Sequence, residues 1–149
     1  MESRREIEEL ISAARAVVGR FAIGERFTAA TVGAALRSRS GRIYTGVCFD
    51  IACGIGFCAE HAAVAEMLKS RETEVEAIVA MDANRVVAPC GRCRELLAQI
   101  DTRNLRTRVV LGPDRVVPLS ELLPEHWLRA GPHPSEERSA PRVGPRASP

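Results

Sequence analysis

The spacing of hydrophobic positions along the chain predicts a domain that mixes helices with strands. In residues 3–19 apolar side chains recur every three or four positions, which is typical of a helix with one buried face. Similar patterns predict helices over residues 58–69 and 90–100, and a shorter one over 119–123. Runs of apolar and β-branched residues between turn signals predict strands over residues 31–36, 42–49, 74–81, 108–111 and 115–117.

The order of these elements predicts the architecture of the sheet. Residues 74–81 are mostly apolar, as in a strand covered on both faces. The helix over 90–100 lies between two strands, and a strand–helix–strand unit places its strands in parallel. Gly112, Pro113 and Asp114 form a turn signal, so we expect the last two strands to pair antiparallel. The predicted fold class is therefore α/β, a three-layer α/β/α sandwich around a mixed sheet of about five strands.

Length and composition predict one domain followed by a tail. A chain of 149 residues is long enough for a single buried core. Beyond Trp127 the composition changes, since five of the nine prolines lie in residues 132–149 among serine, glycine and arginine. We expect a folded domain over residues 1–128 and a disordered tail over 129–149, to which we assign no function.

The distribution of charged residues and cysteines excludes several classes of partner. Residues 129–149 carry four arginines and two glutamates, which account for the formal net charge of +2 and leave residues 1–128 neutral. A neutral domain offers no basic surface to nucleic acid. No apolar run approaches the roughly 18 residues of a membrane helix. The five cysteines are an odd number and the first residues are charged, so we expect no secretory signal, no disulfide framework and a cytoplasmic location.

Candidate chemistry lies in two short segments 32 positions apart, which hold Cys58, Cys90 and Cys93. Three thiolates can bind zinc and leave its fourth tetrahedral position open for water or substrate, and this number of ligands is typical of a catalytic site. Glu60 follows Cys58 by two residues, too close along the chain to bind the same ion comfortably. It is near enough to face the open position, and we interpret it as a proton carrier.

These segments resemble the motifs of the zinc-dependent cytidine deaminase family. Cys58-Ala59-Glu60 is similar to the family's Cys-Ala-Glu motif, and residues 89–93 are similar to its Pro-Cys-x-x-Cys motif. The resemblance implies that zinc is the cofactor and that Cys58, Cys90 and Cys93 bind it. It also implies that Glu60 is the catalytic acid and base.

The same resemblance implies a fold, a reaction and an assembly. The family has a central sheet with helices on both faces, so residues 1–128 would be its catalytic domain. The implied reaction is hydrolytic deamination of a small molecule, a cytosine nucleoside or nucleoside-like amine, to the uracil form with release of ammonia. Family relatives of this length are homotetramers, so a homo-oligomer is expected.

Substrate contacts are implied by the segment that follows the second predicted strand. The family holds the ribose hydroxyl through this segment, and residues 46–52 match it here. Asp50 stands in place of the family's glutamate and Cys48 in place of its asparagine, although a thiol has less hydrogen-bonding capacity than an amide. Ala59 is the third implied substrate contact.

Three thiolates on one divalent ion leave a net negative charge, which neighbouring groups must offset. The starts of the two motif helices can stabilise thiolates through the helix dipole and free backbone amides. Arg92 and Arg94 are further candidates for this role, and His61 is either a packing residue or a hydrogen-bond donor near the site. The family's nucleoside enzymes usually carry arginine where His61 stands, so the balance of charge here is expected to differ.

Alternative interpretations stay open within the family and outside it. Three segments also resemble blasticidin-S deaminase, a branch that acts on a cytosine nucleoside antibiotic, namely residues 40–47, 89–94 and 121–124. Deamination of a free or modified amino-heterocycle is a further alternative. Outside the family, Cys53 could add a fourth thiolate and make a closed structural zinc module. Alternatively, Cys90 and Cys93 could form a redox pair.

Overall fold

A computed structural model describes residues 2–130 of the chain. The predicted tail therefore lies almost entirely outside the described residues. The elements in chain order are α1 (Glu2–Val17), β1 (Phe21–Ile23), β2 (Phe27–Ser38), β3 (Ile43–Asp50), α2 (Ala59–Lys69), β4 (Val75–Met81), β5 (Val86–Val87), α3 (Gly91–Ile100), β6 (Arg108–Gly112), β7 (Arg115–Pro118) and α4 (Leu119–Leu122). Short 3₁₀ helices span Thr102–Arg106 and Trp127–Ala130. No helix in residues 2–130 combines the length and the apolar character needed to cross a membrane.

The sheet is mixed and has seven strands, which confirms the fold class and corrects the number of strands. β2 pairs antiparallel with β1, β3 and β4, and β4 in turn pairs with β5 and β6. The pairing of β4 with β6 is parallel, and α3 lies in the connection between them, as the strand–helix–strand pattern predicts. β6 and β7 pair antiparallel across the predicted turn.

The two strands missing from the prediction are the short elements β1 and β5. All three residues of β1 are exposed, so its sequence carries no alternation of buried and exposed positions. β1 pairs with Ala29, Thr28 and Phe27 of β2, which lie before residue 31, where the sequence predicts that strand to begin. Each short strand pairs antiparallel with a strand adjacent in sequence, β1 with β2 and β5 with β4, and this pairing keeps its residues extended because the sheet satisfies their backbone hydrogen bonds.

Helices cover both faces of the sheet, which confirms the three layers. Neighbouring residues of the central strands alternate between the two faces, as the pleat requires. Under α1 the core comprises Ile7, Leu10, Ala14, Ala35, Ala77, Val79, Met81 and Val110. Under α2 and α3 it includes Ala34, Leu36, Ala63, Met67, Ile78, Ala80, Leu97 and Val109.

The packing of α2 against β3 positions the first predicted motif. Gly46 in β3 lies so close to α2 that a Cβ atom there would come within 2.4 Å of the Ala63 nitrogen and 2.7 Å of the Ala59 oxygen. Only glycine permits this approach, because contacts under 3.0 Å force a neighbour to move. The start of α2, and the residues just before it, are thereby fixed against the sheet.

Candidate active site

The three motif cysteines converge into one thiol cluster, formed by Cys58, Cys90 and Cys93. Their sulfur atoms all lie within 4.8 Å of one another. Cys90 Sγ lies 3.6 Å from both Cys58 Sγ and Cys93 Sγ. Zinc–sulfur bonds of about 2.3 Å in a tetrahedron separate the ligand sulfurs by about 3.8 Å. The cluster therefore has the spacing that zinc requires, and its three donors leave one tetrahedral position for a further ligand.

The helix starts explain why these cysteines meet. Cys58 is the N-cap of α2 and Cys90 is the N-cap of α3, and both have extended backbone conformations. Cys93 lies in the first turn of α3 and is fully buried. The positive end of each helix dipole and the free amides of each first turn therefore point at the cluster, where they stabilise thiolate charge.

The three thiols of the cluster differ in pKa. Burial opposes ionisation of Cys90, but hydrogen bonds from the backbone amides of Cys93 and Arg92 and with the thiols of Cys93 and Cys58 together outweigh it and lower the pKa of Cys90. Burial, assisted by the charge of Glu60, raises the pKa of Cys93 well above its ordinary value. Burial also raises the pKa of Cys58. Three neighbouring thiolates repel one another, and a bound cation removes this penalty, so the donor set fits zinc.

Glu60 lies beside the thiol cluster in the first turn of α2 and is only 5% exposed. Burial raises the pKa of its carboxyl group, because a charged carboxylate is less stable away from water. A carboxyl group that changes protonation nearer to neutral pH is suited to general acid and base chemistry.

His61, Arg92 and Arg94 occupy three different environments. His61 Nδ1 lies 3.5 Å from Cys93 Sγ, and burial, with the charge of Arg92, lowers the pKa of the imidazole. Arg92 is exposed and lines the cavity described below. Arg94 donates from Nε to the Pro89 carbonyl at 2.8 Å and from Nη1 to the Leu122 carbonyl at 3.1 Å. Arg94 thus links the start of the second motif, at Pro89, to α4, at Leu122, through their backbone carbonyls.

A cavity of about 610 Å³ opens beside the thiol cluster. Its lining includes Cys58, Cys90 and Glu60, together with Cys48, Asp50 and Ala59, the three predicted substrate contacts. The glycine-rich segment over residues 51–57 also contributes to the lining. One cavity therefore joins the candidate metal ligands to the candidate substrate contacts.

Several wall residues of the cavity have no signal in the sequence. Phe27, Val32 and Val87 lie on strands, and the pairing of these strands places them in the cavity wall. The local sequence pattern does not predict this position. Phe49 and Phe57 contact each other edge to face, with ring centroids 4.0 Å apart. Of these wall residues, only Phe57 could be suspected from the sequence, because it directly precedes Cys58 of the first motif.

The two non-deaminase alternatives receive little support from this geometry. Cys53 is exposed and does not belong to the thiol cluster, which is the one group of three or more potential metal ligands found in residues 2–130. A closed site with four thiolates is therefore not formed. A redox pair of Cys90 and Cys93 leaves unexplained why Cys58 Sγ lies as close to Cys90 as Cys93 does.

Comparisons with known proteins agree with this site. Residues 4–109 match the family described as the cytidine and deoxycytidylate deaminase zinc-binding region. A cytidine deaminase from Halalkalibacterium halodurans is 35% identical over 99 residues, which cover 62% of this chain and 74% of that protein. A blasticidin-S deaminase from Bacillus cereus is 34% identical over 77 residues, 45% of this chain and 55% of that protein.

A solved structure extends the similarity to the fold. The cytidine deaminase from Mycobacterium tuberculosis superposes with a TM-score of 0.68 at 29% identity, and the alignment covers 81% of this chain and 96% of that one. The matched family region contains the complete thiol cluster and Glu60. The chain belongs to the cytidine and deoxycytidylate deaminase family that shares this zinc-binding region.

Proposed function

We propose that the protein is a zinc-dependent hydrolase that deaminates a cytosine nucleoside, of the cytidine or deoxycytidine class, to its uracil form. The observation that carries the proposal is the convergence of three sulfurs within 4.8 Å at a cavity that Glu60 also lines. The names of the relatives support the choice of a cytosine nucleoside as substrate.

Different residues of the chain have different roles in the hydrolysis. Cys58, Cys90 and Cys93 would hold the zinc ion, which when bound supplies the Lewis acidity that makes water a nucleophile near neutral pH. Glu60 accepts a proton from the attacking water and donates it to the ring nitrogen. It then transfers a second proton to the departing amine. The loss of ammonia and the gain of one oxygen from water balance the reaction.

Neighbouring groups orient the substrate and balance charge. We propose that Cys48, Asp50 and Ala59 contact the substrate in the cavity that they line. His61 and Arg92 offset the negative charge of the thiolates, His61 through its approach to Cys93. Arg94 acts through structure, since its guanidinium group binds the carbonyls of Pro89 and Leu122.

The decisive variant is Glu60→Gln, which keeps the size of the side chain and removes its proton transfer. We expect kcat for ammonia release to fall by roughly 10²- to 10⁴-fold, the usual contribution of a positioned acid or base. Zinc content should stay at the wild-type level, because Glu60 is not among the thiol ligands. Glu121→Gln, an exposed acid of α4, is the matched control and should leave kcat unchanged. Full activity of Glu60→Gln would refute the proposed mechanism.

The similarity to a blasticidin-S deaminase supports a second candidate substrate. Ammonia release from cytidine, deoxycytidine, cytosine, blasticidin S and aminopurines separates the candidates. We expect cytidine and deoxycytidine to give the highest kcat/KM. Highest turnover of blasticidin S would assign the chain to antibiotic inactivation, and highest turnover of cytosine or an aminopurine would assign it to free or modified heterocycles.

We further propose that the protein is a homotetramer and acts in the cytoplasm. Apolar side chains exposed on β1 and near the end of the described chain support self-association, since Phe21 and Trp127 are 57% and 50% exposed. All five cysteines are free, which agrees with a reducing compartment. The molar mass in solution, from light scattering of the zinc-loaded protein, tests the tetramer.

A further inference from the structure

A second cavity, of about 380 Å³, lies where the parallel strands β4 and β6 begin. Its lining includes Val75 and Arg108, the first residues of these strands, and Arg39, which follows β2. The cavity beside the thiol cluster includes instead Val87, which pairs with Ala80 near the end of β4. The two cavities therefore lie towards opposite ends of β4, and they share no lining residue.

Almost the whole lining of this second cavity is charged. Besides Val75 it consists of four arginines and two glutamates, namely Arg39, Arg103, Arg106, Arg108, Glu74 and Glu76, and we call it the arginine cavity. The lining carries a formal charge of +2, although residues 1–128 are neutral as a whole. A concave wall with an excess of one sign of charge attracts ions of the opposite sign.

Both glutamates of the arginine cavity are already paired. Glu74 Oε2 lies 2.9 Å from Arg103 Nη1, and Glu76 Oε1 lies 2.9 Å from Arg108 Nη2. Each of these two arginines also contacts a second carboxylate, which does not line the cavity. These acids equal the four arginines of the cavity in number, but all of them bind the same two arginines.

Arg39 and Arg106 are therefore left without an anion. Both are exposed and line the arginine cavity, and within residues 2–130 neither guanidinium group has a hydrogen bond or an ion pair. Their backbone is nevertheless anchored. The Arg39 amide donates to the Glu74 carbonyl at 2.9 Å, and the hydroxyl of Thr107, next to Arg106, donates to the Val75 carbonyl at 2.7 Å.

A buried polar side chain holds the base of the cavity together. Asn104 is fully buried, and its Oδ1 accepts a hydrogen bond from the Val75 amide at 2.7 Å. Its Nδ2 donates to the carbonyls of Thr73 and Leu97, both at 3.0 Å. The 3₁₀ helix that carries Arg106 is thereby joined to the start of β4 and to α3. Because the backbone under the two unpaired cations is fixed in advance, less ordering is needed when a ligand binds.

We propose that the arginine cavity binds a phosphate group, free or carried by a small metabolite, through Arg39 and Arg106. A phosphate group carries a charge of about −1.5 to −2 at neutral pH, which two unpaired cations match and a single carboxylate does not. The planar guanidinium group presents paired N–H donors that fit phosphate oxygens. This inference goes beyond the proposed deaminase activity and does not rest on it.

The composition of the lining also indicates which part of a ligand is recognised. Val75 is the one apolar residue among the described lining residues, and none of them is aromatic. The cavity therefore offers no stacking surface and little apolar surface to a group attached to the phosphate. We expect the phosphate group itself to supply nearly all of the affinity.

The test is isothermal titration calorimetry on the full-length, zinc-loaded protein at low salt. We expect inorganic phosphate and glucose 6-phosphate to bind saturably, at a single site per chain and with similar affinity. Acetate, with one negative charge, should bind much more weakly. Added sodium chloride should weaken the binding of phosphate, because salt screens exposed charges.

Variants assign the binding to the two arginines. Arg39→Gln and Arg106→Gln should each lower the affinity for phosphate by about tenfold or more, as for the loss of hydrogen bonds to a charged group. Arg39→Lys keeps the charge without the paired donors and should bind with intermediate affinity. Arg115→Gln, an exposed arginine of β7 outside the cavity, is the matched control and should bind as wild type does. Zinc content and circular dichroism check the fold of each variant.

The outcomes are separate from those of the deaminase assay. Similar affinities for the two phosphates would identify the free phosphate group as sufficient. Tenfold tighter binding of glucose 6-phosphate that both glutamine variants lose would identify a phosphorylated metabolite as the ligand. No saturable binding of either compound in the millimolar range would overturn the inference, and so would wild-type affinity in both Arg39→Gln and Arg106→Gln. Neither of these results would alter ammonia release, so the proposed function would stand.

Discussion

His61 shows how one side chain depends on its immediate neighbours. It follows Glu60 on α2, and its Nδ1 lies 3.5 Å from the buried Cys93 sulfur. Burial lowers the pKa of the imidazole and so favours its neutral form. The tautomer with its hydrogen on Nδ1 donates to the sulfur, and thiolate charge is thereby offset without a full positive charge.

At this scale we predict that His61→Ala weakens the hold on zinc. Groups that orient or hydrogen-bond metal ligands typically contribute 10- to 100-fold in metal affinity, and we expect a loss of that order in competition with a chromophoric chelator. His61→Asn keeps a donor and should recover part of the affinity.

The control for this prediction is His126→Ala. His126 does not line the cavity and belongs to no ligand group in residues 2–130, so its loss should leave zinc affinity at the wild-type value. Wild-type affinity in His61→Ala would show that the imidazole does not act on the cluster.

The contact between β3 and α2 shows how the packing of two elements positions residues of the site. A small residue in the strand, Gly46, lets the helix approach until backbone atoms of the two elements nearly touch. This approach sets the distance of α2 from the sheet, and with it the positions of Cys58 and Glu60 at the helix start. Packing of this density transmits any change in one element to the other.

We predict that Gly46→Ala destabilises the protein and disturbs the site together. A methyl group there would lie 2.4 Å from the Ala63 nitrogen, so the helix must move, and overpacking of this kind typically costs about 1–3 kcal/mol. Denaturant unfolding and zinc content measure the two effects.

Gly112→Ala is the matched control, because Gly112 in β6 has no atom within 4 Å of the added methyl group. It should leave the free energy of unfolding nearly unchanged. If both variants unfold alike, close packing of α2 is not the reason for glycine at position 46.

For the protein as a unit, Glu72 is one of the carboxylates that make stability depend on pH. Glu72 follows α2 and accepts hydrogen bonds from Tyr44 at 2.6 Å and Ser40 at 2.7 Å, so it ties the end of the helix to β3 and to the turn before it. Hydrogen bonds from Ser38, Tyr44 and Ser40 lower the pKa of Glu72 to about 2. The unfolded chain would have a glutamate pKa of about 4.3.

This difference predicts a loss of stability in acid. Because the folded pKa lies below the unfolded one, the contribution of Glu72 is complete above about pH 5 and disappears as the pH falls towards 2. The free energies of unfolding of wild type and Glu72→Gln should therefore differ most at pH 7 and converge near pH 2.

The control here is Ser120→Ala, which alters an exposed position of α4 and no ionisable group. Its difference from wild type should not vary with pH. A difference for Glu72→Gln that is as large at pH 2 as at pH 7 would contradict the assigned cause.

The layered α/β fold, the long elements and the candidate zinc ligands could all be predicted from the amino-acid sequence. Burial of one face imposes a local period on helices and strands, and the ligands stand in short motifs at helix starts, so both are visible without knowledge of distant residues. The family resemblance drew on the same two motifs.

The residues from distant parts of the chain that complete the site became visible only in the folded structure. It brought Phe27 and Val32 to the cavity and turned Arg94 towards the backbone carbonyls of Pro89 and Leu122. These outcomes depend on strand pairing and on contacts across many residues, and such contacts have no period or motif in the local sequence.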